Sequence, residues 1–282
     1  MDNATRSQLL IEALSYIGKF KGKVVTIKFG GAAQGDPEAK ALFAQDVALV
    51  HSLGMRPVVV HGGGPEITRA LKAAGHAPAF VEGLRITTAE TIEITEMVLS
   101  GQVNKELVAL IQSKGALAVG VSGKAGRMVR ARKMGPVNGV DLGFVGEITG
   151  VETALIDALL DSGHIPVISP ISMDDDGATL NINADSVASR IAARMRAERM
   201  IFMTDVDGVI EDGALVPSLS SAEALKLIER GVISGGMVPK VEAMLHCLNH
   251  GVGSAAIING SEPHAIINEL FTDAGIGTQI TP

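Results

Sequence analysis

A chain of 282 residues, 46% of them hydrophobic and 20% charged, is long enough for a sizeable core and has the balance of an ordinary globular protein. A net charge of −7, an aromatic share of 3% and the lack of Trp argue against nucleic acid or an anionic membrane as partner, because basic surface and stacking platforms are both scarce. The single cysteine, Cys247, rules out internal disulfides and cysteine-built zinc sites. The opening MDNATRSQLL has no signal-peptide pattern, and no apolar run reaches the ~18 residues needed to span a bilayer, so the expectation is a cytoplasmic protein acting on small molecules.

In chain order, residues 1–21 come first. Leu9, Leu10, Ala13, Leu14 and Ile17 recur at helical spacing, with stop signals at Gly18 and Gly22, which predicts an amphipathic helix ahead of the first core strand. That helix either packs on its own domain or makes an oligomer contact. Short apolar runs then predict strands at 24–29, 56–60, 116–121, 165–169, 200–204 and 254–258. Helical patterns lie between them at 39–52, 65–74, 88–111, 152–162, 184–197, 221–230 and 239–250, several with start signals such as Pro65, Ser221 and Pro239. Near-continuous rather than alternating hydrophobicity marks strands buried on both faces of a parallel sheet, and the alternation with helices predicts an α/β sandwich. The basic, Gly/Pro-rich run 124–141 predicts a solvated β-hairpin, too short to claim a nucleic-acid site. Cys247, among Met244, Leu245 and Leu248, reads as core packing, and the three aspartates at 174–176 before Gly177 read as a solvated turn.

Four glycine-rich elements carry the chemical signal. They are Lys28-Phe29-Gly30-Gly31, His61-Gly62-Gly63-Gly64-Pro65, Thr204-Asp205-Val206-Asp207-Gly208 and Ser234-Gly235-Gly236-Met237-Val238-Pro239-Lys240. Each falls where a strand ends or a helix begins, the usual place for a ligand on an open α/β sheet. Glycine lets backbone N–H groups approach phosphate oxygens, and a helix N-terminus adds partial positive charge. Each loop alone is weak, since Lys28 could be a solvated strand-end lysine and Asp185 a surface carboxylate. Four such loops, two with a lysine, are hard to explain as tight packing. The GxxxxGK(S/T) P-loop, a GxGxxG after a strand and the protein-kinase motifs are all absent. The stretch IFMTDVDGV at 201–209 is similar to the first motif of haloacid-dehalogenase-like phosphatases, but too little chain follows it and no GDxxxD appears.

Longer matches resemble the amino acid kinase family, and within it the branch acting on acylated amino acids. They are IKFGG at 27–31, VVVHGGGPEI at 58–67, GLRIT at 83–87, EMVLSGQVNKELV at 96–108, DLGFVGEI at 141–148, NINAD at 181–185, TDVDGV at 204–209 and GGMVPK at 235–240. The resemblance runs from about Lys23 to Ile280. It implies a three-layer αβα sandwich around a largely parallel sheet. The implied lobes are 22–196, binding the acceptor and dimerising, and 197–282, binding nucleotide.

The activity so implied is transfer of the γ-phosphoryl group of ATP, with Mg²⁺, to the side-chain carboxylate of N-acetyl-L-glutamate in arginine biosynthesis. N-acetyl-aminoadipate or another acidic amino acid remains the alternative acceptor. A carboxylate is already ionised at neutral pH and needs no general base, so His61 is expected to be structural. The resemblance gives Lys28 and Lys240 to transition-state stabilisation, with Asp185 orienting both. Gly63, Gly64, Arg85 and Asn181 go to the substrate. Gly30, Gly31, Thr204, Asp205, Val206, Asp207, Gly208, Gly235, Gly236 and Met237 go to the nucleotide, and magnesium is carried by phosphate and water rather than a protein cage. Glu82, Thr88 and Ala125 depart from the family pattern of Asn, Asp and Asp. The N-terminal helix with Tyr16 and the ending HAIINELFTDAGIGTQI at 264–280 resemble the arginine-inhibited, hexameric subgroup, which implies a homodimer at least, a hexamer built from dimers, and L-arginine as inhibitor.

Overall fold

A computed structural model describes residues 2–272 and 275–282; the side chains of residues 3–7, 9–10, 12–13 and 32 lie outside the described set. Among the described residues, eight strands form one sheet. Their order is Ser218–Ser220, Thr278–Thr281, Ser254–Asn259, Arg199–Thr204, Val24–Phe29, Arg56–His61, Ile165–Ser169 and Ala118–Ser122. The six from Ser254–Asn259 to Ala118–Ser122 are parallel, and Thr278–Thr281 runs antiparallel to Ser254–Asn259. All six predicted strands are present within a residue or two.

Period-two alternation along the buried strands splits the core into two layers. Val58, Val60, Met200, Phe202, Ala255 and Ile257 face one layer with Ile156, Val187, Ile191, Val241 and Met244. Val25, Ile27, Phe29, Val59, Ile201 and Ile258 face the other with Phe43, Val47, Ile67, Leu107 and Ile266. Phe29 and Phe43 stack there, ring centroids 4.0 Å apart. Helices on both faces of the sheet make the sandwich that the residue pattern predicts.

Two expectations need correction. The helical run at 88–111 is three pieces: α-helix Ala89–Glu96, a π-helical stretch Met97–Val103, and α-helix Asn104–Ser113. The basic run is not a self-contained solvated hairpin. Val129–Lys133 pairs with Gly146–Val151 in a four-stranded sheet that also holds Ile171–Met173 and Thr179–Asn181. Its residues alternate, so Val129 and Ala131 are buried in the core while Arg130 and Arg132 pair outside with Glu152 and Glu147. The sheet is therefore half-buried, and the charges are its solvent face. The first helix forms as expected, over Asn3–Phe20, and ends inside the core, with Phe20 only 2% exposed. Of the residues that carry its amphipathic reading, the side chains of Leu9, Leu10 and Ala13 lie outside the described set, while Leu14 is exposed and Ile17 half-buried; residues 273–274 of the C-terminal segment also lie outside it.

Candidate active site

Three neighbouring parallel strands, Arg56–His61, Val24–Phe29 and Arg199–Thr204, deliver their C-terminal loops to one end of the sheet. Lys28 is the next-to-last residue of the middle strand and is buried. Its side chain curls over the first glycine loop, so that a Cβ at residue 30 would meet Lys28 Nζ at 2.6 Å. Gly31, at φ +79°, turns the chain where a Cβ would come within 3.2 Å of the Asp205 amide nitrogen. The two glycines thus allow the lysine and the 204–208 turn to close in from opposite sides.

Asp185 lies in the first turn of helix Ala184–Met195, whose N-cap Asn183 accepts a hydrogen bond from the Ser186 amide at 3.0 Å. A carboxylate is favoured there by the helix dipole. Lys28 Nζ stands 2.9 Å from Asp185 Oδ1, and Lys240 Nζ donates to Oδ2, also at 2.9 Å. Lys240 enters from helix Val238–Leu248, started by Pro239 after the Gly235–Met237 turn. Burial pushes the Asp185 carboxyl up, but the two ammonium groups outweigh it and hold its pKa below the ordinary value. Residues 28, 185 and 240, far apart in the chain, form one lysine–aspartate–lysine bridge.

Two cavities meet beside this bridge. One of about 780 Å³ is lined by Asp185, Lys240, Gly235, Gly236, Pro239 and the Glu82–Gly83–Leu84 turn. The other, about 200 Å³, is lined by Gly62, Gly63, Gly64, Arg85 and Asn181, and shares Gly83, Leu84 and Asn183 with the first. In the smaller one, Arg85 Nη2 donates to Gly64 O (2.9 Å) and Thr68 Oγ1 (2.8 Å), and its guanidinium lies 4.6 Å from the Phe80 ring centroid. Its buried Nη1 has no hydrogen-bond partner. An orphaned guanidinium donor beside a cavity suits a carboxylate ligand. Asn181 Nδ2 donates to Thr87 Oγ1 at 3.2 Å.

The remaining expected residues are placed unevenly. Thr204 is buried and donates to Asp205 Oδ1, while Asp207 Oδ1 accepts from Asn259 Nδ2. Gly208, at φ +149°, packs where a Cβ would lie 2.5 Å from Thr278 Oγ1. The 204–208 turn therefore flanks the first glycine loop and does not line the cavity that Asp185 and Lys240 share. Met237 packs against the core layer, and the side chain of Val206 is exposed. Two of the three departures can be placed locally; nothing in the structure explains Ala125. Glu82 sits at φ +47° in a two-residue turn, where Asn is better tolerated, and accepts a hydrogen bond from Asn138 at 2.9 Å. Thr88 caps helix Ala89–Glu96, its N–H donating to Thr91 Oγ1. Residues missed in the sequence include Gln34, Thr68, Asn104 and Asn259; of these only Asn259, closing a strand before Gly260, carried a signal comparable to the other loops.

His61 is fully buried and not disposed as a base. Its Nδ1 faces Gly62 O at 2.7 Å and its Nε2 faces Asn104 Nδ2 at 3.1 Å. Burial, with the Lys105 charge adding, pushes its pKa down to about 4, although the Gly62 carbonyl pulls the other way. It is neutral at physiological pH.

Two lysines sharing one carboxylate beside glycine-rich loops suit phosphoryl transfer, and the model of the amino acid kinase family matches residues 23–259. The chain belongs to the amino acid kinase family. Among curated relatives, the acetylglutamate kinase of Methanocaldococcus jannaschii is 48% identical over 98% of this chain and 96% of its own length. That of Methanothrix thermoacetophila is 48% identical over 98% of both chains. N-acetylglutamate synthase from Neisseria gonorrhoeae, solved with coenzyme A and N-acetyl-glutamate, superposes with a TM-score of 0.88 at 27% identity. It covers 98% of this chain, which spans 63% of the synthase's length. The same synthase, solved with coenzyme A and L-arginine, gives a TM-score of 0.84 at 26% identity over 98% of this chain and 65% of that one. Carbamate kinase from Giardia, at 18% identity and TM-score 0.67, covering 92% of this chain and 99% of its own, shares the fold.

Proposed function

We propose that this kinase phosphorylates the side-chain carboxylate of N-acetyl-L-glutamate, using ATP and yielding the acyl phosphate. The observation that carries the reading is the convergence of Lys28 and Lys240 on Asp185 at 2.9 Å each. Two ammonium groups locked at fixed positions neutralise the charge that spreads over a phosphoryl group in flight, and the lock removes reorganisation from the barrier. The acceptor oxygen is ionised before it arrives, which agrees with a neutral, fully engaged His61. Arg85 Nη1 supplies the clamp for the acceptor's α-carboxylate, and Asn181 a polar contact to its amide end. Gly30, Gly31, the 204–208 turn and the Gly235–Met237 turn hold the nucleotide. Among the described residues no group of three or more His, Cys, Asp or Glu side chains could hold a metal ion, so Mg²⁺ would be carried by the nucleotide, and when bound it would neutralise phosphate charge.

Support for the acceptor comes from the relatives' names and from the orphaned guanidinium donor beside the smaller cavity. A coupled assay of ADP release with N-acetylglutamate, N-acetyl-aminoadipate, aspartate and glutamate tests it. Turnover with N-acetylglutamate at the highest kcat/KM is expected; preference for N-acetyl-aminoadipate or a free amino acid would overturn the acceptor while leaving the kinase intact.

Feedback inhibition by L-arginine in a hexamer of this chain is part of the same reading. The described side chains along the outer part of helix Asn3–Phe20 support it, with Ile11 62% and Leu14 63% exposed, as does the arginine complex of the gonococcal synthase.

A further inference from the structure

Gln34 has no place in the mechanism above, yet it is only 2% exposed. It rides on the short helical turn Ala32–Gly35 that follows the first glycine loop, its own amide donating to Gly31 O at 3.2 Å. Its side chain crosses to the second glycine loop, where Nε2 donates to Gly62 O at 2.8 Å. One residue thus struts the loop assigned to the nucleotide against the loop assigned to the acceptor, between which the phosphoryl group must pass.

The Gly62 carbonyl is over-determined. His61 Nδ1 lies 2.7 Å from the same oxygen, and Asn104 Nδ2, facing His61 Nε2, fixes the tautomer that leaves the proton on Nδ1. Two donors therefore converge on one carbonyl, and the Gly62 N–H is in turn held by Phe29 O at 2.8 Å. A trans peptide sets C=O and the following N–H in opposite directions. Pinning Gly62 O between Gln34 and His61 therefore turns the Gly63 N–H away from them, and that N–H has no partner among the described residues while Gly63 lines the smaller cavity. Glycine peptides rotate easily, so a flip of this peptide would present a carbonyl where a donor is needed. We infer that Gln34 and His61 are positioning residues that hold the Gly62–Gly63 peptide with its N–H toward the transferring phosphoryl group. The inference rests on the phosphotransfer reading of the site.

Gln34→Leu tests it, because leucine fills the space without a donor. Removing an oxyanion donor outright costs ~10²–10³ in kcat, and loosening its aim costs less, so a fall in kcat of about tenfold is expected with both KM values within about twofold. The discriminating readout is the affinity for ADP with aluminium fluoride and acceptor, a mimic of the transferring phosphoryl group. It should weaken about as much as kcat falls, while the affinity for a non-hydrolysable ATP analogue stays put. Gln34→Glu, which sets a carboxylate against the Gly62 carbonyl, should be worse than Gln34→Leu on the same two readouts. A Gln34→Leu enzyme with unchanged kcat, or with a lowered thermal midpoint but intact mimic binding, would overturn the inference. Failure of the wild type to turn over, or to bind the mimic more tightly than the ATP analogue, would instead remove the phosphotransfer reading on which it stands.

Discussion

Asp185 never touches the reacting atoms in the proposed chemistry, yet it decides where two ammonium groups stand. Asp185→Asn keeps the shape but removes the charge that offsets them, and leaves Lys28 and Lys240 repelling one another across a mostly buried site. The expected outcome is a fall in kcat of about 10²-fold with KM for either substrate changed less than about threefold, measured by steady-state kinetics. A change confined to KM would assign Asp185 to substrate holding. Because its folded pKa lies below 3.8, its contribution to stability is present above that value and is lost as pH falls through the lower folded value. His61 titrates higher. Its folded pKa of about 4 lies below the ordinary 6.5, so the fold favours the neutral ring; the stability it contributes is whole above pH 6.5 and drains away as pH drops toward 4. In His61→Gln the thermal midpoint should fall less between pH 6.5 and 4 than in the wild type, compared by melting curves in matched buffers. An equal fall in the two proteins would mean that His61 is not held neutral.

At the level of elements, the π-helical stretch Met97–Val103 is what shapes the second glycine loop. Its Leu99 is buried, and a Cβ on Gly63 would sit 2.5 Å from Leu99 Cδ2, with Val103 close behind. Gly63→Ala should therefore cost about 1–3 kcal/mol of stability by overpacking, and less in a Leu99→Ala background, where the space has been opened. Chemical denaturation of the four proteins in that cycle measures the coupling; full additivity would show that the two elements do not press on one another. None of this packing was legible in the sequence. The periodicity of 88–111 continues across the π turns, so one long helix was the natural reading. Strands of three residues, such as Ile171–Met173 and Thr179–Asn181, are too short to show a period, so the sequence pattern leaves the second sheet hidden and its solvent face resembles a free hairpin. The six long strands were legible because burial on both faces leaves an unbroken apolar run.

Across the whole molecule, parallel topology is what gathers residues 28, 63, 185 and 240 at one end of the sheet, and the glycine loops announced that end in the sequence. Lysine beside glycine after an apolar run is visible locally, whereas Gln34 and Asn104 are ordinary polar residues until folding buries them against the Gly62 carbonyl and His61. Asp185 became interpretable through the family resemblance, not through spacing. The first helix poses the remaining question at this scale. Phe20 is part of the core and its ring lies 5.9 Å from the Arg199 guanidinium, which is ion-paired with buried Glu269, so the helix's last turn belongs to the domain. Further out, the described Gln8, Ile11 and Leu14 are exposed, and two large apolar side chains above 60% exposure on one helix suit a contact with another copy. A deletion should therefore stop short of the core anchor, removing residues 2–16 and keeping Phe20. If the helix joins dimers, sedimentation should show the particle shrink from hexamer to dimer, L-arginine should cease to inhibit, and kcat without arginine should stay within about twofold, because Lys28, Asp185 and Lys240 are untouched. An unchanged mass with intact inhibition would return the helix to its own domain and remove the oligomeric part of the proposed function, leaving the two-lysine site as it stands.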